Sequence, residues 1–153
     1  MNTVNSVAII GAGNMGSGIA QKSAQEQFDV QMVDREKQWV DRGEKIINDF
    51  LEEAIQRRIF KPEKVEEIKN RITGVIGTEN VAPDTDLVIE AVFEDFEIKK
   101  EVFNILDRVC GEKTILASNT SSLSVNELAK ATGRPEKFVG LHFFYHPAKN
   151  RLI

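Results

Sequence analysis

Cysteine is almost missing from this 153-residue chain. Cys110 is its single thiol, so no disulfide can form within the chain and no cysteine cage can hold a metal. That usage suits a reducing compartment, and a cytoplasmic location is expected. A basic excess is missing too. Twenty Lys and Arg stand against 24 Asp and Glu, a net charge of −4 with a pI near 5.3. Nucleic-acid-binding domains carry a basic patch and a pI above ~9, so no nucleic-acid partner is expected. No apolar run approaches the ~18 residues of a membrane helix. No basic stretch followed by a long apolar one opens the chain as a secretory signal would, and structured sequence starts almost at once, so neither a leader nor a membrane partner is expected. Disorder is excluded by composition: 41% of residues are apolar and 29% charged, ordinary for a globular protein. The length matches one domain.

What is present alternates in type. Residues 4–10 are apolar and β-branched and read as a short buried strand running into a glycine cluster. Residues 14–27 read as a helix with Met15, Ile19, Ala20 and Ala24 on one face, and 28–33 as a second strand ending at Asp34. From 36 to about 60 a charged helix keeps an apolar stripe through Val40, Ile47 and Leu51. Lys61-Pro62 stops it, because proline disfavours helix at the residue before it, and Pro62 then opens another helix at its first position. These two helices read as a hairpin projecting from the body. Strands follow at 72–76, 87–93, 114–117 and 138–144, with helices at 96–109 and 125–131 between them. Ser124 is placed to cap the last helix, with Glu127 completing a capping box. Strands alternating with helices make this an α/β fold, a doubly wound and mostly parallel sheet covered on both faces.

Gly11-Ala12-Gly13-Asn14-Met15-Gly16 is a G-x-G-x-x-G between a strand and a helix, the context that makes the motif informative. Gly11 allows a tight turn, Gly13 lets the backbone approach a pyrophosphate, and Gly16 lets helix and strand pack closely. The helix opens at Asn14 and Met15 with free N–H groups and a partial positive charge for phosphates. A glycine-rich turn without a ligand would look the same locally. Asp34 ends the second strand about 20 residues after Gly16, where an acidic group accepts hydrogen bonds from the adenosine ribose hydroxyls and repels a 2′-phosphate. NAD is therefore expected over NADP, although the neighbouring Arg35 is a residue type that accommodates a 2′-phosphate.

Ligands of an open α/β sheet sit at the carboxyl ends of its strands. Glu94, the run Asn119–Ser122 and His142 fall at three such ends and would converge on one edge. Histidine is the side chain whose ordinary pKa of ~6.5 suits proton transfer near neutrality. At His142, beside a nicotinamide, it would take the hydroxyl proton as an alcohol is oxidised to a ketone. Ser121 and Asn119 would hold the substrate oxygen and position the nicotinamide, although Asn-Thr-Ser-Ser is also ordinary turn chemistry. Glu94 reads equally as a charge at a helix N-terminus, and Lys99 as a solvated surface charge.

The segments VAIIGAGNMGSGIA, VIEAVFED, ASNTSSLSV and GLHFF, in this order and spacing, resemble the NAD-binding domain of the L-3-hydroxyacyl-CoA dehydrogenases. The resemblance implies a Rossmann-type domain over 1–153 and an NAD-dependent, reversible oxidation of 3-hydroxyacyl-CoA to 3-oxoacyl-CoA in fatty-acid metabolism or β-oxidation. It implies that Gly11, Gly13 and Gly16 hold the pyrophosphate and Asp34 the adenosine ribose. Glu94 and Lys99 would line the nicotinamide-ribose end, with Asn119 near it. Ser121 would contact the 3-oxygen and His142 would be the base. The hairpin resembles the part that touches coenzyme A, with Arg57 above all, and Arg58, meeting its phosphates. No metal is implied, and a homo-oligomer is expected.

The sequence departs from the family at two places. Where the family has His-Phe-Phe-Asn-Pro, this chain has His142-Phe143-Phe144-Tyr145-His146-Pro147, which leaves Tyr145 without an assigned role and adds His146 as a second base candidate. The family's orienting glutamate falls twelve residues beyond His142, just past Ile153, and its helical second domain follows it. The 153 residues are thus expected to bind NAD yet turn over slowly by themselves, and to expose an apolar patch around Phe143, Phe144, Leu152 and Ile153. Two other readings stay open: a stand-alone NAD-binding module without catalysis, and a dehydrogenase of another hydroxy acid.

Overall fold

In the computed structural model, which describes residues 4–150 and 153, six strands form one parallel sheet in the order β3-β2-β1-β4-β5-β6. The strands are β1 (Ser6–Ile10), β2 (Asp29–Asp34), β3 (Ile72–Ile76), β4 (Leu87–Glu90), β5 (Ile115–Ser118) and β6 (Phe138–Gly140). Side chains of successive strand residues point to opposite faces, and β1 shows the result. Val7 and Ile9 enter one apolar layer, Ala8 and Ile10 the other, and all four are buried. The first layer is closed by α1 (Asn14–Gln25), α2 (Lys37–Gln56) and α3 (Pro62–Asn70) through Ile19, Ile47, Leu51, Val65 and Ile68. The second is closed by α4 (Phe96–Val109) and α5 (Val125–Ala129) through Phe103, Leu106 and Leu128. Fully burying one such side chain contributes about 1.5–3 kcal/mol.

The chain builds outward from β1 to β3, then returns to β4 on the other side of β1. This reversal leaves a crevice at the carboxyl ends of β1 and β4, where doubly wound sheets bind their ligands. α2 backs the crevice closely. A Cβ on Gly43 would lie 2.8 Å from the Ala12 carbonyl oxygen and 2.9 Å from Met32 Cε, so only glycine lets this helix rest on the loop after β1.

Several expectations are corrected here. The first long helix ends at Gln56, and Arg58 in the turn after it has φ +56°. The hairpin packs along the body through Val40, Leu51, Ala54, Val65 and Ile68, so what extends from the body is its tip, where Ile59 is exposed. The fourth strand stops at Glu90, whose own Oε1 accepts the Val92 N–H at 2.8 Å and turns the backbone out of the ladder. The last strand stops at Gly140, because the Phe143 N–H goes to a side chain, Asn119 Oδ1, at 2.8 Å. That same tie tucks Phe143 into the core, so it does not join an exposed apolar patch. Phe144 and Ile153 are 43% and 60% exposed, and Leu152 lies outside the described residues. At α5 the capping box is half formed: Ser124 Oγ accepts the Glu127 N–H, while the Glu127 carboxylate pairs with Lys130.

Candidate active site

Each of the three glycines after β1 does a different job. Gly11 has φ +106°, and a Cβ on it would sit 2.7 Å from the Ala91 carbonyl oxygen. A Cβ on Gly16 would sit 1.7 Å from the carbonyl oxygen of Gly11. Both glycines are demanded by the fold itself. Gly13 is not: its backbone is extended, and a Cβ there would meet nothing within 4 Å. Gly13 is also the N-cap of α1. It offers no side-chain cap, and no acidic residue stands in the first turn. The N–H groups opening at Asn14 and Met15 are thus left to an outside acceptor, the arrangement that binds phosphate at helix N-termini. By contrast, α4 is capped by the side chain of Asp95.

Asp34, at the end of β2, is held in place on both oxygens. Oδ2 accepts the Ala12 N–H and Oδ1 the Arg35 N–H, each at 2.8 Å. The Arg35 side chain points away to Glu36, at 3.6 Å, and is largely exposed.

On the far side of the crevice three carboxyl-end segments are joined by side chains. Glu94 Oε1 accepts from the Thr120 hydroxyl, from the Ser121 N–H at 3.0 Å, and from the Ser122 N–H and hydroxyl at 3.2 and 3.1 Å. Its Oε2 lies 3.1 Å from Lys99 Nζ. Partial burial alone would raise the Glu94 carboxyl, but the Thr120 and Lys99 contacts and the Ser121 N–H together hold it down to about 2. Asn119 then reaches forward to Phe143, and the Leu141 N–H donates to the Ser118 carbonyl at 3.0 Å, which fixes His142 between them. The His142 ring is exposed and contacts the Phe144 ring at 4.9 Å between centroids.

Because folding lowers the Glu94 carboxyl from its ordinary 4.5 to about 2, the stabilisation it brings is complete above about pH 4.5 and is lost as pH falls toward 2. The difference in melting temperature between wild type and Glu94→Gln is therefore expected to be full at neutral pH and to shrink below about pH 4.5. Calorimetric melts across that range check it, and a difference independent of pH would refute it.

The NAD binding domain model of 3-hydroxyacyl-CoA dehydrogenase matches residues 6–153. The chain is 41% identical over 138 residues to 3-hydroxybutyryl-CoA dehydrogenase of Clostridioides difficile, covering 90% of this chain and 49% of that protein. It is 38% identical over 146 residues to the mitochondrial hydroxyacyl-coenzyme A dehydrogenase of Homo sapiens, covering 92% and 46%. The chain belongs to the 3-hydroxyacyl-CoA dehydrogenase NAD-binding family. The fold agrees: the crystal structure of (S)-3-hydroxybutyryl-CoA dehydrogenase PaaH1 from Ralstonia eutropha superposes with a TM-score of 0.89 at 36% identity, covering 93% of this chain and 50% of that one. The chain spans about half the length of the curated relatives it matches.

NAD is the cofactor of this family, and the residues present fit it: Gly13 leaves room for a pyrophosphate, α1 presents uncapped N–H groups, and Asp34 presents a carboxylate on the β2 side. Gly11, Gly13, Asn14, Met15, Gly16 and Asp34 stand at or just after the carboxyl ends of β1 and β2, and Glu94, Asn119, Ser121 and His142 just after those of β4, β5 and β6. Lys99 reaches the site from beneath. It is 1% exposed, with Nζ 2.6 Å from Glu90 Oε1, so it reaches the surface through Glu94 and is no solvated charge. Arg57 lies at the hairpin tip, exposed and paired with Glu53 at 2.7 Å, apart from the strand-end residues. His146, the second base candidate, sits against α2, away from the Asn119–Ser122 turn that flanks His142. Its ring stacks on Phe50 of α2 at 4.9 Å, and burial followed by the nearby Lys149 charge lowers its pKa. Among the described residues no three of His, Cys, Asp or Glu are grouped to hold a metal, and no helix is long and apolar enough to cross a membrane.

Sequence reasoning missed Glu90, Thr120 and Gly43. Glu90 did carry a signal: a carboxylate in an otherwise apolar strand is almost never buried unless it is paired. Gly43, in mid-helix where glycine costs about 1 kcal/mol against alanine, carried another.

Proposed function

We propose that the chain is the cofactor-binding half of an NAD-dependent 3-hydroxyacyl-CoA dehydrogenase, carrying the catalytic base, and that the enzyme serves fatty-acid metabolism. One observation carries the reading. Glu94 and Asn119 tie the ends of β4, β5 and β6 together, so Ser121 and His142 stand on the same edge as the cofactor loop. When bound, NAD supplies the hydride acceptor. His142 removes the 3-hydroxyl proton at a ring nitrogen, and in the reverse direction returns it. Ser121 donates its hydroxyl hydrogen bond to the 3-oxygen, on a turn whose N–H groups Glu94 holds. Gly13 and the start of α1 take the pyrophosphate and Asp34 the adenosine ribose. Arg57 extends the site toward the CoA phosphates.

The test has two arms. In the first, NADH and NADPH are titrated by fluorescence. Asp34 is fixed where a 2′-phosphate would meet its charge, so NADH should bind at least about tenfold more tightly, the equivalent of ~1.4 kcal/mol. Equal or reversed affinities would overturn the Asp34 assignment. In the second arm, the protein in its natural length is assayed for acetoacetyl-CoA-dependent oxidation of NADH. Binding without turnover would favour a cofactor-binding module, and turnover only of a free hydroxy acid would favour a different dehydrogenase.

A further inference from the structure

Glu90 is fully buried at the end of β4, directly beside Ile10 in the ladder, and none of the proposed chemistry uses it. Its partners are an ammonium, a backbone N–H and a hydroxyl. Oε1 accepts from Lys99 Nζ at 2.6 Å and the Val92 N–H at 2.8 Å, and Oε2 from the Ser118 hydroxyl at 2.6 Å. The contact with the ammonium is a charge-assisted hydrogen bond, the kind that a buried carboxylate makes when it is paired with a cation. Lys99 is equally buried and touches two carboxylates, Glu90 and Glu94. Two negative groups and one positive group leave one net negative charge. Glu90 shares the ammonium, so Lys99 does not fully neutralise Glu94, which is the outermost member of the three at 35% exposure. Glu94 Oε1 is occupied by four donors from the Thr120–Ser122 turn, and Oε2 meets only the ammonium that it shares with Glu90.

This uncompensated charge lies at a defined place along a bound dinucleotide. Asp34 and the glycine loop take up the β2–β1 side, and a dinucleotide crosses the switch point, so its second half lies over the ends of β4 and β5. Resting on the NAD reading above, we propose that Glu90 is a positioning residue that sets the charge beneath the nicotinamide, favouring the oxidised cofactor over the reduced one. The nicotinamide ring of NAD is cationic and that of NADH is neutral. A net negative charge held in a partly buried site therefore stabilises the first and not the second. Asp95 caps α4 through the Ile98 N–H, and its charge is the same in every variant compared below.

The experiment measures the affinities of the 153-residue chain for NAD and for NADH by calorimetry at low ionic strength, and reads their ratio. Glu90→Gln keeps the shape and removes the charge. The preference for NAD relative to NADH should fall about fivefold, the size of one unit charge felt across several ångströms of partly solvated protein. A fivefold change is about 20 mV in the bound two-electron couple. Glu90→Gln combined with Lys99→Met restores the single negative charge, and should return the ratio toward wild type. A packing role alone would weaken both cofactor forms alike and would not be reversed by the second change. If Glu90→Gln gives no cooperative melt, Glu94→Gln makes the same change of charge from the exposed end and should lower the ratio in the same direction. Wild-type chain that binds neither form sinks the cofactor reading itself. Wild-type chain that binds both, with folded variants keeping its ratio, overturns this inference alone.

Discussion

Replacing His142 by glutamine is expected to lower acetoacetyl-CoA reduction by about 10³-fold while leaving NADH affinity within about twofold of wild type. Removal of a general base costs between 10² and 10⁴ in rate, and the surroundings of His142 place the loss in chemistry. Its ring is exposed and contacts Phe144, and the backbone on either side is held by other groups, Leu141 by the Ser118 carbonyl and Phe143 by Asn119. The side chain can therefore change without freeing the segment, and the melting temperature should hold. The measurement is turnover on the protein in its natural length, paired with an NADH titration and a melt. A rate loss below tenfold would remove His142 from the role of base. A parallel fall in stability would instead make it a structural residue.

Gly16→Ala should have the second large effect, on fold and cofactor together. The new methyl would lie 1.7 Å from the Gly11 carbonyl oxygen, and both atoms belong to backbone that cannot swing aside. α1 has to move off the loop, at a cost of about 3 kcal/mol or more, the upper end of overpacking penalties. NADH affinity should drop by over ~10²-fold as the helix start leaves the pyrophosphate. Gly13→Ala is the informative comparison. Its backbone is extended and its Cβ meets no protein atom, so stability should change by less than about 0.5 kcal/mol, as at an unencumbered surface position. Only the ligand would meet that methyl. A Gly13→Ala chain that binds NADH as well as wild type would show that no phosphate lies there.

These glycines show what could be read in advance. The motif, its strand and its helix were legible because each is local: β-branched residues, a tight turn, then a helix start, all within residues 4–27. The boundary at Lys61-Pro62 was legible for the same reason, and Lys61 and Pro62 do occupy the N-cap and first position of α3. What failed to show was decided by partners distant in sequence. Lys99 is the exception: its carboxylates Glu90 and Glu94 are near in sequence, and what hid the pairing was the burial of the β4 end beneath α4. Residues 141–144 look like strand because they are apolar and aromatic, yet Asn119 takes the hydrogen bond that would have continued it. His146 carries the right chemistry for a base, and only the fold reveals Phe50 beneath it.

Beyond His142 the chain doubles back across the helical layer, and Pro147 settles into the space that Gly18 leaves bare on α1. A methyl at position 18 would come within 3.1 Å of the proline ring, and the neighbouring His146 ring would be 3.5 Å away. Glycine near one end of the domain and proline near the other therefore pack as a single unit. A side chain at 18 would press the proline ring back by a few tenths of an ångström, and the segment that carries it would have to give. That segment follows directly on residues 141–143, whose backbone Ser118 and Asn119 pin, so a change at 18 would be taken up beyond those ties and leave His142 in place.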